Sequence, residues 1–350
     1  MAPDADDRVR DGAAGGDLSP ALAALAAGAK GGAVPPFDVN LSKPDLLPWR
    51  DGNALPGVWS FAAAASGPHI AVAALVHGNE IAGAALLDRW LRAGFRPARG
   101  RLSLVFANME AFNRFDPADP TASRFVDEDF NRVWDESVLG GGRRSCELRR
   151  ARTLRPFIDT VDVLLDLHSM LWPSDPLTLA GRTERARRLA LEVGVPPLVV
   201  IDQGHATGRR MIDYDGFTDP AGGRIGLLVE AGAHWEPATV ATMEAAAAAL
   251  LRRFGAVSPD DEVLPPPPAT APAAPPRLAE VTRTVTATAP GFAFVRAYRG
   301  GDVVPERNTL IALDGDEEIR TPHDDCLLVM PSLRTAPGHT AVRLARFVEG

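Results

Sequence analysis

The sequence predicts an α/β fold: a mixed, mostly parallel sheet flanked by helices, followed by a small C-terminal β domain. Three observations predict it. Residues 69–107 read strand, helix, strand, the pattern of a parallel sheet with helices on its faces. Apolar runs at 161–167, 198–201 and 224–229 alternate with helical patterns and extend that sheet. Past a proline-rich stretch the pattern changes to short-period alternation punctuated by Gly-Gly, Asp-Gly and Pro-Gly, which reads as a small all-β unit.

The elements follow in order. Residues 1–35 are rich in Ala, Gly and Asp and read as a flexible N-terminal extension. A strand is expected at 57–65 and a stronger one at 69–76, ending at His77. A helix follows over about 80–93, then a strand at 101–107. Residues 108–138 hold much Asp, Pro and Asn and little periodicity; a loop this long inside a compact domain is usually functional. An arginine-rich helix spans 143–157, and its charges read as a solvated face. The buried strand 161–167 ends at His168. Short β structure at 176–180, a helix at 184–194, strands at 198–201 and 224–229, and an Ala-rich helix at 237–254 complete an α/β domain over 36–257. The Pro/Ala-rich stretch 258–277 is a semi-rigid linker, and 278–350 form the small β-rich domain.

Composition narrows the function. The chain has 350 residues, 46% hydrophobic and 23% charged, with a net charge of −8. That is a globular composition without the basic stripe of a nucleic-acid binder. An anionic small molecule still fits, because a local cationic pocket does not depend on net charge. Cys146 and Cys326 fall in different expected domains and have no Cys partner at metal spacing, so free thiols in a reducing compartment are expected. The acidic N-terminus reads as no secretory leader, and no apolar run is long enough for a membrane span. A cytoplasmic protein is expected.

Three polar residues sit at the ends of predicted strands: His77, His168 and Glu230. Ligands of open α/β sheets bind beyond the carboxyl ends of the strands, so all three meet at one crevice. His77 and Glu80, three residues apart in a turn entering a helix, can face one point. Two His and one Glu are a common zinc set that leaves a position for water, and His168 completes it. Taken alone, His-x-x-Glu is common by chance, and a strand-end histidine is more often a hydrogen-bonded structural residue. The 108–138 loop adds Arg124, which can stabilise an oxyanion, and Asn131 with Arg132, which can hold a carboxylate. Asp129 can accept the outer N–H of a metal-bound histidine. Glu230 ends an apolar strand, where burial raises a carboxyl pKa toward that of a general base. His205 and His234 read as ordinary loop histidines.

In this order, His77-Gly78-Asn79-Glu80, Asn108, Arg124, Asp129-Phe130-Asn131-Arg132, Asp166-Leu167-His168 and Glu230 resemble the succinylglutamate desuccinylase/aspartoacylase family, a branch of the zinc carboxypeptidase-like fold. The resemblance covers about residues 65–235 and extends loosely over the β-rich tail. It implies one Zn2+ held by His77, Glu80 and His168, and Glu230 as general base that then protonates the leaving amine. It also implies that Arg124 polarises the scissile carbonyl and that Asn131 and Arg132 bind the carboxylate of an N-acyl amino acid. The family's substrate-binding tyrosine before a proline in the β domain is replaced here by Met330 before Pro331.

The expected activity is therefore zinc-dependent hydrolysis of an N-acyl amino acid, a small anionic substrate. No nucleic-acid or membrane partner is expected, and a homo-oligomer is left open. A metallocarboxypeptidase and a non-catalytic binding protein are the competing readings. A serine hydrolase is disfavoured by the lack of a G-x-S-x-G elbow, and nucleotide chemistry by the lack of a Gly-rich phosphate loop.

Overall fold

The computed structural model describes residues 37–202, 204–205, 207–258, 260–267 and 274–349. The expected flexible segment 1–35 lies outside them, as does part of the expected linker. The strands are β1 (Val58–Ala62), β2 (Ala65–Ala74), β3 (Arg99–Phe106), β4 (Val163–Met170), β5 (Leu177–Ala180), β6 (Leu198–Ile201), β7 (Ile225–Ala233), β8 (Arg277–Thr286), β9 (Ala293–Phe294), β10 (Val303–Val304), β11 (Leu310–Asp314), β12 (Glu317–Arg320), β13 (Cys326–Val329) and β14 (Thr340–Val348). The longer helices are α1 (Ile81–Arg92), α2 (Cys146–Ile158), α3 (Glu184–Val193) and α4 (Pro237–Arg253).

Eleven strands form one sheet in the order β1-β3-β2-β4-β7-β5-β6-β8-β14-β13-β10, and β12-β11-β9 form a small antiparallel sheet. β3, β2, β4 and β7 run parallel, as do β5, β6 and β8. The mixed, largely parallel α/β fold and the small C-terminal sheet agree with the expectation. The β6–β8 ladder carries the main sheet across the proline-rich stretch, so strands of the C-terminal region extend it.

Two cores cover the faces of the sheet because alternate strand residues point opposite ways. On β2, Ile70, Val72 and Ala74 pack with Leu87 and Trp90 of α1 and Leu250 of α4. Ala71 and Ala73 pack on the other face with Leu148 and Leu154 of α2. β13 and β14 serve two cores in the same way: Leu327, Val329 and Ala345 join the second, while Leu328, Val342 and Leu344 join a third with Ile311 and Tyr298. Cys146 and Cys326 are buried free thiols.

Several boundaries move. β4 and β7 run on to Met170 and Ala233, so His168 and Glu230 lie inside strands rather than just past them. The apolar run ends earlier because the last residues face the site, while their backbone ladder continues. Residues 108–138 contain short helical turns at Met109–Asn113, Phe130–Arg132 and Glu136–Gly140. In the β-rich stretch, residues 291–298 contain only the short strand Ala293–Phe294.

Candidate metal centre

β2 delivers His77. The chain leaves the strand through Leu75, whose φ of 61° is left-handed, a conformation a branched residue adopts only where its surroundings enforce it. Gly78 then threads between two backbones. A Cβ there would lie 2.4 Å from the Ala111 carbonyl carbon and 2.5 Å from the Ser123 oxygen, so only glycine fits. Glu80 stands at the N-cap of α1, yet its carboxylate makes no capping bond. It turns instead into the sheet end.

There Glu80 meets both histidines. His77 Nδ1 lies 2.6 Å from Oε1, and His168 Nδ1 lies 3.0 Å from Oε2. The Ser169 backbone N–H donates to Oε2 at 3.0 Å. The outer nitrogens face other carboxylates: His77 Nε2 is 3.2 Å from Asp129 Oδ1, and His168 Nε2 is 2.9 Å from Asp166 Oδ2. An Asp behind each Nε2 orients the ring and turns both Nδ1 atoms toward Glu80. Burial alone would raise the Glu80 carboxyl, but His77 and His168 outweigh it and hold it well below its usual value. Burial would lower His168, but Asp166 and Glu80 hold it well above its usual value.

Among the described residues, the donor atoms of His77, Glu80 and His168 all lie within 4.8 Å of one another, and the three residues are buried. Two imidazoles and one carboxylate, each imidazole backed by a carboxylate, is a donor set that fits zinc.

Glu230 projects from β7 as the register partner of His168. Its Oε2 has no hydrogen-bond partner. Burial, reinforced by the charge of Glu80, pushes its pKa up to about 8 against the pull of His168, Arg124 and Arg343. A carboxyl so poised can take up and release a proton near neutrality.

The 108–138 loop brings the remaining expected residues. Arg124 Nη2 lies 2.9 Å from His77 Nε2 and 3.3 Å from Asp129 Oδ2. Asp129 also accepts the Asn131 backbone N–H at 2.8 Å, which fixes the turn. The Asn131 side chain is committed: Oδ1 accepts the Met211 N–H at 2.9 Å, and Nδ2 lies 3.3 Å from His168 Nε2. Arg132 donates to the Asn131 carbonyl at 2.7 Å, and its Nη2 stands 3.8 Å from Asp129. Burial, with repulsion from Arg124, Arg343 and Arg210, pulls its guanidinium down to about 10 against the attraction of Asp129.

His234 is buried beside the centre, with Nδ1 2.8 Å from Ser169 Oγ, and burial draws its pKa down to about 4. His205 packs against Arg343. A cavity of 860 Å³ is lined by Asp202, His205, Arg209 and Asp213 and by none of the three converging donors; donor geometry, not cavity size, locates the chemistry.

Two supporting residues were given no role by the sequence reading, Asp166 although its motif was noted. Asp166 has a readable signal, since Asp-x-His on a strand puts both side chains on one face. Glu147 on α2 is fully buried and accepts from Asn108 Nδ2, Val126 N, Asp127 N and Glu128 N. It thereby ties down the segment just before Asp129. Its signal is a carboxylate on the same helical stripe as Ala151 and Leu154.

Comparison with known proteins places the chain in a family. A family model described as the succinylglutamate desuccinylase/aspartoacylase catalytic domain matches residues 66–253. An aspartoacylase of Xenopus tropicalis is 31% identical over 109 residues, 29% of this chain and 33% of that protein. A succinylglutamate desuccinylase of Pseudomonas fluorescens is 32% identical over 115 residues, 30% of this chain and 32% of that protein. The matched stretch thus spans about a third of each of these curated relatives. The solved structure of a succinylglutamate desuccinylase from Vibrio parahaemolyticus superposes with a TM-score of 0.64 at 19% identity, covering 84% of this chain and 87% of that one. At that identity the likeness speaks for the fold. No helix among the described residues is long and apolar enough to cross a membrane.

Proposed function

Because the chain belongs to the succinylglutamate desuccinylase/aspartoacylase family, we propose that it is a zinc-dependent amidohydrolase that removes the acyl group from an N-acyl amino acid. The observation that carries this reading is the buried convergence of His77, Glu80 and His168 beside an unpartnered Glu230. His77, Glu80 and His168 hold the zinc, which supplies Lewis-acid activation of a water and of the amide carbonyl. Asp129 and Asp166 hold the two imidazoles so that each presents Nδ1. Glu230 takes the proton from the attacking water and passes it to the leaving amine nitrogen, a cycle suited to a buried carboxyl whose Oε2 has no other hydrogen-bond partner. Arg124, with its guanidinium beside His77, stabilises negative charge developing on the scissile carbonyl oxygen. Asn131 and Arg132 form the clamp for the amino-acid carboxylate, Asn131 acting chiefly as its brace.

The test is hydrolysis of a panel of N-acetyl and N-succinyl amino acids by the purified protein, before and after removal of metal by a chelator. The expected result is release of free amino acid that is lost on chelation and restored by added zinc. A well-folded, zinc-loaded protein that hydrolyses none of the panel contradicts the proposal.

A further inference from the structure

Arg343 lies on β14, outside the residues that match the family model. Its strand neighbours Val342 and Leu344 enter the C-terminal core, so alternation turns Arg343 the other way, toward the α/β part of the molecule. It is 4% exposed. A guanidinium so buried is costly unless it is well paired.

Its pairing is incomplete. Nη2 donates to His205 Nε2 at 2.6 Å. Nε lies 3.1 Å from Asp202 Oδ2 but without hydrogen-bonding geometry. That same oxygen accepts Arg210 Nη1 at 2.9 Å, and Asp202 Oδ1 accepts the Gly204 N–H. Arg210 in addition holds Asp213 through Nε and Nη2. Arg210 is thus served by two carboxylates, while Arg343 shares one. His205, buried among Arg343, Arg132 and Arg210, is held far below its usual pKa and adds no charge. Asp129 is occupied by His77 and Arg124. Asp129 is also the nearest carboxylate to Arg132, at 3.8 Å. Arg343 therefore has no carboxylate in a hydrogen bond of its own, and its Nε donor is unspent on a buried positive charge.

That charge lies beside the clamp. Residues 207–211 are pressed onto residues 131–134: Met211 N bonds Asn131 Oδ1, and Trp134 N bonds the Arg209 carbonyl. Gly208, at φ 147°, approaches so closely that a Cβ there would lie 2.2 Å from the Arg132 carbonyl oxygen. His205 bridges to Gly208 and bonds Arg343. The loop therefore spans from Arg132 to Arg343. With Asn131 Nδ2 turned to His168 and Arg124 engaged with His77 and Asp129, the clamp on that loop rests on Arg132.

We propose that Arg343 is a substrate-binding residue, the second arm of the carboxylate clamp opposite Arg132, with His205 and Asp202 fixing the direction of its fork. The C-terminal region thus contributes to recognition by the site it adjoins. This rests on the deacylase reading for the identity of the substrate, but binding tests it separately from turnover.

The experiment measures calorimetric binding and hydrolysis of N-acetyl amino acids and of the same compounds as carboxamides, with zinc-loaded wild type, Arg343→Met, Arg132→Met and the double variant. Arg343→Met is expected to weaken binding of the acid about 10- to 100-fold, the loss for one charge-assisted hydrogen bond, with carboxamide binding unchanged. In the double variant the two losses are expected to sum to less than additivity. Arg343→Lys is expected to recover part of the affinity, which separates recognition from a folding defect. Equal losses for acid and carboxamide, strict additivity, or no binding of any acid to the wild type overturns the proposal. Binding by the wild type without hydrolysis refutes the deacylase reading and leaves the clamp standing.

Discussion

His168 and Glu230 are register partners across the parallel β4–β7 ladder, so an imidazole of the converging set and the proposed base leave the sheet on one face at one level. The sheet register, not a loop, sets their separation. Glu230→Gln should therefore retain zinc while kcat falls by about 10²- to 10⁴-fold, the usual worth of general base catalysis. Metal analysis and steady-state kinetics on the same preparation check this; a wild-type kcat refutes the role.

The same residue links stability to pH in the metal-free protein. Burial keeps a proton on Glu230 up to about pH 8, whereas the carboxyl ordinarily ionises near 4.5. Between those values the folded chain holds a proton the unfolded chain has released, so stability falls as pH rises through that window. Glu230→Gln should stabilise the metal-free protein by on the order of 4 kcal/mol at pH 8, at ~1.4 kcal/mol per pKa unit, and hardly at all at pH 4. Denaturant titrations at the two pH values check it; a gain independent of pH contradicts it.

Asp166→Asn keeps the size of the side chain but removes the charged acceptor 2.9 Å from His168 Nε2. Zinc affinity should fall about 10- to 100-fold, as for other partners behind metal-binding histidines. Competition with a chromogenic chelator measures it, and an unchanged affinity would show that Asp166 does not orient the ligand.

Glu147→Gln replaces an acceptor-only carboxylate with an amide whose NH2 faces backbone donors. We expect a loss of about 2–4 kcal/mol of stability, together with a higher KM as the segment carrying Asp129 and Arg132 loosens. A lower melting temperature with unchanged KM for carboxylate substrates would limit Glu147 to a structural role.

The sequence revealed the centre of the site more clearly than its supports. His77, Glu80, His168 and Glu230 sit where apolar strand runs give way to polar residues, and the fold rule for open sheets brings such ends together. Arg343 was not legible. In Val342-Arg343-Leu344 the alternation looks like a half-buried strand with its arginine in water. β14 is instead part of a sheet continued from the α/β region, and Arg343 is turned to Asp202 and His205. Glu147 was hidden for a similar reason, as one carboxylate in an arginine-rich helix that seemed solvated throughout. His205 and His234 read as loop histidines because the partners that engage them, Arg343 and Ser169, are 138 and 65 residues away in sequence.

The central claim is that His77, Glu80 and His168 hold a metal. Its most direct test is zinc analysis of the purified wild type and of Glu80→Ala after dialysis against excess zinc, with circular dichroism to show that both are folded. The account predicts about one zinc per wild-type chain and less than about a tenth of that in the variant. A folded wild type that retains no zinc, or a variant that retains as much as the wild type, would contradict it.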